Sequence, residues 1–522
     1  MSHVTLIRGP WLSCLYSVEA DEAAAGSPPL GLAYLAAVLK HAGHQVRVID
    51  ALGEDMAQVA RVPGHPLNAT GLSHEQIIDR IPPHTDLIGF SEMFSSDWLV
   101  HKRLVRAVHA AFPATPIILG GEHSSAESDY ILRHEPHVRA CVRGEGEETL
   151  LDLLAAMGEG RDWREVPGLY VRAPDTHKPM ATPARKRVRK LDAIPWPAWE
   201  EIPIAAYLAK PGGFGSIRGR SMPMLASRGC PFACTFCSNP DMWGQYWNAR
   251  DPQDVIAEIK HYVACYGIDS FFFTDPTAIV RKDWILQFTA LLQRENLGLT
   301  WSMPAGTRSE AMDEEVLAAL KRSGCPKVSY APESGSMRML ERVKKRVDLD
   351  RMLVSIQAAV RQGLIVKAHM IMGFPSETLS DILADYKFMV RLAWAGASDV
   401  PVYVFNPYPG CALHDEIKDK GGFPGEGEAY EEFLASSYGS GFWRVRSWSE
   451  HIGNRQLLLL IWGAMALFYT CQFLFRPWRI AASMYRLAIS RPATLYERFP
   501  EVMARKLLRF RRRRQPLPQT LA

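Results

Sequence analysis

Short apolar runs alternate with stretches of helical period along most of the chain. Val4-Thr5-Leu6-Ile7 reads as a strand. Leu30 to His41 reads as an amphipathic helix, and Gln45 to Asp50 returns to strand. Leu87-Ile88-Gly89-Phe90 follows, then a helical pattern from about Asp97 to Ala111. Ile117 to Gly121 is a strand ending in glycines, and Ala140 to Gly144 is the next. Strands that alternate with helices predict a parallel sheet covered on both faces, a doubly wound (Rossmann-like) α/β domain. Ligands of such sheets sit beyond the carboxyl ends of the strands. Gly120, Gly121 and the Gly144-Glu145-Gly146-Glu147 loop lie there, and glycine permits close backbone approach to a ligand.

A second alternating region runs from Met224 to about Pro409. Its strands are expected at Met224–Ser227, Ser270–Phe273, Leu299–Ser302, Val328–Ala331, Val366–Met372 and Pro401–Phe405. Six strand–helix steps suggest a partial (β/α)6 barrel of the TIM type. A Pro/Trp-rich stretch, Ile194 to Trp199, marks the connector before it and resists helix formation. Gly212-Gly213-Phe214-Gly215 lacks the spacing of a phosphate loop and reads as a flexible loop. The C-terminal segment is helical and arginine-rich. Within it Leu457 to Phe475 is 19 residues without a charge, just long enough for a membrane span. Its isolation, with Gly463, Thr470 and Gln472 inside it, favours a buried or membrane-surface helix over a span. The expected domains are 1–160, a connector 161–222, the barrel 223–415 and a helical, basic 416–522.

The 522 residues are 47% hydrophobic and 22% charged, which suits a globular chain of several domains. The net charge of +4 is unevenly spread: Arg476 to Arg514 carries twelve Arg/Lys against Glu497 and Glu501. A basic end points to an anionic partner, a membrane surface more than a nucleic acid, or is simply a solvated tail. The N-terminus lacks the charged and apolar regions of an export signal. A reducing cytosol, with peripheral membrane contact through the C-terminal segment, is the expected location.

Nine cysteines in a chain this long do not form a disulfide framework, and the tightest spacing suits a metal. Arg228-Gly229-Cys230-Pro231-Phe232-Ala233-Cys234-Thr235-Phe236-Cys237 follows the first barrel strand. Thiolates at spacings of four and three can wrap one loop around an iron–sulfur cube. Three ligands for four irons leave one iron open to a substrate. The alternatives are a zinc site or buried free thiols; zinc recruits four protein ligands in paired spacing, and no second Cys or His pair is evident.

This loop resembles that of the radical S-adenosylmethionine (SAM) superfamily. The resemblance implies a [4Fe-4S] cluster on Cys230, Cys234 and Cys237, with SAM chelated at the open iron. One electron, from a flavodoxin- or ferredoxin-type donor, then cleaves SAM to methionine and a 5′-deoxyadenosyl radical. It also implies SAM contacts at the later strand ends. Asp275, followed by Pro276 where relatives often have a second acid, stands at the position that meets the SAM amino group. Arg308 stands where the carboxylate is met, and Glu333 and Ser334 at the ribose position. Gly373 lies in the turn that supports adenine, with Glu377 at a helix N-terminus. Cys411, after the sixth strand, stands where relatives often carry a hydroxyl, a candidate hydrogen donor or substrate contact. Cys14, Cys141, Cys265, Cys325 and Cys471 read as structural.

Pro28 to Ala36, Leu119 to Ser124 and Arg143 to Glu147 resemble the cobalamin (B12)-binding domain of class B radical SAM proteins. Together with the barrel the resemblance covers residues 1 to about 415. It implies cobalamin contacts at Gly120, Gly121, Ser124, Gly144 and Glu145, with Ser125 as a further hydroxyl donor. No Asp-x-His-x-x-Gly segment is present, so an open or water-filled lower cobalt face is expected, and His123 reads as a loop histidine. The alternative is a fold retained for packing alone. The leading expectation is methylation of an unactivated carbon in a small or lipophilic substrate. The rivals are a non-methylating oxidoreductase or cyclase of tetrapyrrole or lipid tailoring, and a non-catalytic sensor.

Overall fold

The computed structural model describes residues 1–14, 26–65, 67–210, 219–437, 445–488, 494 and 497. The Gly212–Gly215 run and the arginines Arg509 and Arg511 to Arg514 lie outside the described residues. The chain divides into two compact units: Met1–Phe271 with Asn406–Ser440, and Phe272–Phe405 with Gly441–Ala522.

The first unit is built on β1 (His3–Arg8), β2 (Gln45–Asp50), β3 (Leu87–Ser91), β4 (Ile117–Gly120) and β5 (Val138–Val142). They run parallel in the order β2-β1-β3-β4-β5. Val4, Leu6 and Ile7 of β1 are fully buried at its centre. Helices Leu30–His41, Trp98–Ala111 and Glu147–Glu159 bury one apolar face each, as their periodicity requires. The strand order reverses between β1 and β3, the point at whose carboxyl ends sheets of this kind receive ligands. The expected doubly wound α/β domain is therefore present.

Two further strands, β6 (Leu169–Arg172) and β7 (Pro179–Ala181), extend the sheet antiparallel beyond β5, within the stretch read as connector. They are four and three residues long, too short for a period to declare itself. Proline is tolerated on such an edge. A separate antiparallel sheet of Trp11–Cys14, Leu67–Thr70 and Val59–Arg61 was likewise not foreseen.

The barrel strands begin with β8 (Ser221–Met224) and β9 (Ser270–Phe273), on which the unit boundary falls. The second unit continues with β10 (Thr300–Ser302), β11 (Lys327–Glu333), β12 (Ile365–Met372) and β13 (Val402–Val404). The last three form a parallel ladder. A bridge between Thr307 and Tyr330 joins the segment after β10 to β11. Phe273, Phe288 and Trp301 pack with ring centroids 5.4–5.6 Å apart in its core. Helix α1 (Leu379–Ala395) follows β12, and α2 (Asn454–Phe475) and α3 (Trp478–Ala488) form the helical C-terminal segment. Leu457, Ile461, Ala464, Phe468 and Gln472 of α2 are its buried stripe, and Tyr386 of α1 donates to the Leu460 carbonyl at 2.6 Å.

Candidate active site

Within the first unit, three loops converge. The cysteine loop leaves the short strand Ser227–Arg228 and enters the helix Asn239–Trp243. Gly229 sits at φ +83°, and a Cβ there would lie 2.1 Å from the Tyr246 carbonyl oxygen, so glycine is required. The Cys237 amide donates to the Cys234 carbonyl at 3.2 Å, closing the loop on itself. Burial, with the charges of Cys234, Glu122 and Cys230, pushes the Cys237 thiol up to about 12. An electron-poor metal centre reverses that preference, because coordination deprotonates a thiol outright. Three thiols of intermediate exposure on one tight loop, with no fourth cysteine in the loop, are a donor set that fits a four-iron cluster.

The glycine turns after β4 and β5 stand beside this loop. Gly121 has φ +118°, and a Cβ would strike the Glu92 carbonyl oxygen at 2.5 Å. Ser125 ties the two turns together: its hydroxyl donates to the Gly121 carbonyl at 2.8 Å and accepts from the Gly144 amide at 3.0 Å. Ser124 is fully buried, beside the Cys141 thiol. His123 Nδ1 meets the Ser95 hydroxyl at 2.9 Å, and burial, aided by the charge on His101, drops the ring to about 3. Burial opposes the proton on His101, but Glu92 at 2.9 Å outweighs it and lifts the ring to about 9. His123 Nε2 and Trp98 Nε1, on rings 5.8 Å apart, are buried with no hydrogen-bond partner among the described residues. Buried donors and acceptors are normally satisfied. These orphaned atoms, with the glycine backbones, fit a crevice built for a polar cofactor.

Charge pins the turns to the cysteine loop. Arg228, 6% exposed, donates to Glu145 at 3.1 Å and to Glu147 at 2.5 Å. Glu145 also accepts from the Arg187 guanidinium at 3.2 Å and the Val188 amide at 2.9 Å, so both its oxygens are engaged within the protein. Arg187 reaches on to the Trp243 carbonyl at 2.6 Å, and the Ser238 hydroxyl donates to Glu122. Cys411 caps the helix Ala412–Asp419, its sulfur accepting from the His414 amide at 3.3 Å. The Leu413 amide donates to the Thr235 carbonyl at 3.0 Å, which docks that helix onto the cysteine loop.

In the second unit the other candidate residues gather at the ends of its strands. Asp275 is buried after β9. Arg308 pairs with Glu310 at 2.8 Å. Glu333 ends β11 with φ +65°, a left-handed conformation rare for a non-glycine residue and concentrated at functional sites. Its carboxylate accepts from Lys345 at 3.0 Å. Ser334 is fully buried and donates to Asp385 at 2.6 Å, which also accepts from the Gly335 amide at 2.6 Å. Gly373, at φ +91°, donates its amide to Glu377 at 2.6 Å. Asp385 and Asp381, on α1, thus secure the turn after β11, while Glu377 secures the turn after β12. Sequence reading missed Arg228, Arg187, Asp381 and Asp385. The signal for the last two was a pair of acids four apart on the inward side of an amphipathic helix.

Burial and the charge of Asp385 raise Glu377 to about 8, and burial raises Asp385 to about 7. Burial opposes the charge on Asp381, but Arg338, Ser336 and Thr378 prevail and hold it below the usual range. The raised folded values fix the sign of a pH effect. Below about pH 4 both groups are protonated folded or unfolded; as pH climbs through about 8, the unfolded chain releases protons more readily and stability is lost. The melting temperature of this unit should therefore fall across that window. Asp385→Asn keeps the acceptor oxygen and should flatten the slope; an unchanged slope would contradict this assignment.

Residues 17–154 match the B12 binding domain family, and residues 224–389 match the Radical SAM superfamily. The chain is 30% identical over 393 residues to the uncharacterized methyltransferase PH0819 of Pyrococcus horikoshii, covering 74% of this chain and 77% of that protein. It is 28% identical over 416 residues to the anaerobic magnesium-protoporphyrin IX monomethyl ester cyclase of Rubrivivax gelatinosus, covering 78% of this chain and 69% of that one. Among solved structures, the radical SAM methyltransferase TsrM of Kitasatospora setae has a similar fold, with a TM-score of 0.61 at 17% identity over 80% of this chain and 76% of that one. The cysteine loop lies within the second matched range and the glycine turns within the first: the chain belongs to the radical SAM enzymes that carry an N-terminal B12-binding domain.

Proposed function

We propose that this enzyme methylates an unactivated carbon of a small or lipophilic molecule. When bound, a [4Fe-4S] cluster, SAM and cobalamin supply a carbon-centred radical and a transferable methyl group. Cys230, Cys234 and Cys237 hold the cluster. Asp275, Arg308, Glu333, Ser334, Gly373 and Glu377 receive SAM, and the Gly120-Gly121 and Gly144-Glu145 turns with Ser124 cradle cobalamin. Ser334 acts through its place in the backbone turn, since its hydroxyl is already engaged by Asp385. Glu145 acts by joining loops. A flavodoxin- or ferredoxin-type protein delivers the electron, and the enzyme works in the cytoplasm with peripheral contact to a membrane.

The observation that carries this reading is the Arg228–Glu145–Glu147 link, which ties the cluster loop to the crevice turn within one unit. Methyl transfer needs both cofactors within reach of one carbon, and positioning of this kind contributes much of a catalyst's rate. Anaerobic turnover with SAM, scanned over lipid, tetrapyrrole and natural-product precursors, should yield a product heavier by one methylene. The likeness to the Rubrivivax gelatinosus cyclase favours a second reading, oxidative cyclisation without methyl transfer. A product of unchanged carbon count would select it and reject methylation. The sensor reading is set aside, because the chain belongs to an enzyme family.

A further inference from the structure

Surface helices normally turn charged residues to solvent. α2 does not. Opposite its buried stripe runs an outward one of Leu459, Trp462, Ala466, Thr470 and Leu474, with Leu459 73% and Leu474 72% exposed. No charged residue stands between Gln456 and Phe475. Only 28% of the most apolar window of this helix is buried. The apolar surface continues onto α3 through Trp478, Ile480, Met484 and Tyr485, and onto α1 through Leu383 and Trp394. Trp394 and Phe475 meet edge to face at 5.1 Å on the wall of a depression of about 500 Å³, which Leu353, Val354 and Val390 line together with Gln357 and the Arg391–Asp350 ion pair. Exposed apolar side chains on adjoining helices, broken on α1 by Lys387 and Arg391, mark an interaction site.

The same contacts prevent α2 from crossing a bilayer. Arg476 donates to the Ala393 and Trp394 carbonyls at 2.7 and 2.8 Å, and Arg479 to the Ala397 and Gly396 carbonyls at 2.8 and 2.7 Å. Tyr469 donates to the Asp399 carboxylate at 2.5 Å. The turn from α2 to α3 is therefore fastened to the end of α1, and the buried stripe of α2, Gln472 included, is committed to this unit. A helix held by protein on one side and apolar on the other lies in the interface plane.

Charge chooses the occupant. From Arg476 to Arg514 the sequence carries a net +10. Of this, +8 stands on residues outside the described ones; like charge of that size on each copy opposes self-association, whereas an anionic bilayer attracts it. Trp462, Trp478 and Tyr485 are the side-chain types that settle at headgroup depth. We propose that the outer face of α1, α2 and α3 docks the enzyme on an anionic lipid surface, in one leaflet and without crossing it. This inference does not depend on the methyl-transfer reading.

The test uses the full-length, anaerobically reconstituted enzyme and vesicle flotation. Vesicles of phosphatidylglycerol with phosphatidylcholine should carry the protein at low salt, more weakly at high salt, and pure phosphatidylcholine far less. The double variant Leu459→Glu, Leu474→Glu should lose at least about ten-fold in partitioning. Both side chains face outward, so the variant should keep its circular dichroism spectrum, which is recorded alongside. Four outcomes would overturn the proposal. One is no binding to anionic vesicles at low salt. Another is full binding by the double variant, which would assign attachment to the basic tail alone. A third is a wild-type dimer in sedimentation that the variant makes monomeric, which would assign the face to a second copy. The last is resistance of the bound protein to carbonate extraction, which would mean a span.

Discussion

Cys234→Ala should abolish the paramagnetic cubane signal of the reduced, iron-loaded protein and cut SAM-dependent turnover by more than about a thousand-fold. Cys234 is the middle thiol of a loop whose ends are already fixed. On one side Gly229 is locked against the Tyr246 carbonyl, and on the other the Cys237 amide is bound to the Cys234 carbonyl. Alanine therefore removes a ligand without releasing the loop to recruit another. Cys265→Ala is the control. That thiol is exposed on the helix Pro252–Tyr266, and its loss should leave both the spectrum and turnover intact. A Cys234→Ala protein that retained the signal at full intensity would remove the ligand assignment and with it the reading of the site.

The largest effect on stability is expected at Arg228. Its guanidinium is buried with Glu145 and Glu147 on one side and the Tyr34 ring 5.4 Å away on the other. Arg228→Leu fills much of the space but leaves two buried carboxylates short of their cation. Breaking one partner of a buried ion pair typically costs about 3–5 kcal/mol, far more than the intact pair contributes over a well-packed apolar replacement. The unfolding midpoint of the first unit should fall accordingly, with a loss of cobalamin retention. Adding Glu147→Gln to Arg228→Leu should restore part of the midpoint, because it removes one uncompensated charge. If the double variant melts no higher than the single one, charge is not the cause and side-chain packing is. Glu145 remains held by Arg187 and Val188, so the charge left uncompensated is chiefly that of Glu147, the one the second substitution removes.

Local pattern sufficed for the strands β1 to β5, for the last five barrel strands and for the spacing of the cysteine loop; the first barrel strand, expected at Met224–Ser227, lies earlier at Ser221–Met224, and Ser227–Arg228 forms a separate short strand. Each is declared by residues adjacent in the chain: a run of apolar side chains, a glycine pair at a strand end, three thiols within eight positions. The glycines carry their own reason, since the backbone at Gly121 and Gly229 admits no Cβ. The short strands β6 and β7 were not legible, because three or four residues hold no measurable period.

What residues in sequence cannot declare is which distant group will neutralise a buried charge. Arg228 and Glu145 are 83 positions apart, and Ser334 and Asp385 are 51 apart. Either partner read alone is an ordinary polar residue; only folding brings them together, and only burial makes the pairing obligatory. The same holds for α2. Its composition predicted an apolar helix, but whether both faces or one would find protein depended on how it packed against α1. The amino-acid sequence by itself determined the chemistry this protein carries. Tertiary structure decided which carboxylates are spent holding the loops and which apolar face is left for a partner, because burial and charge pairing are properties of neighbours in space.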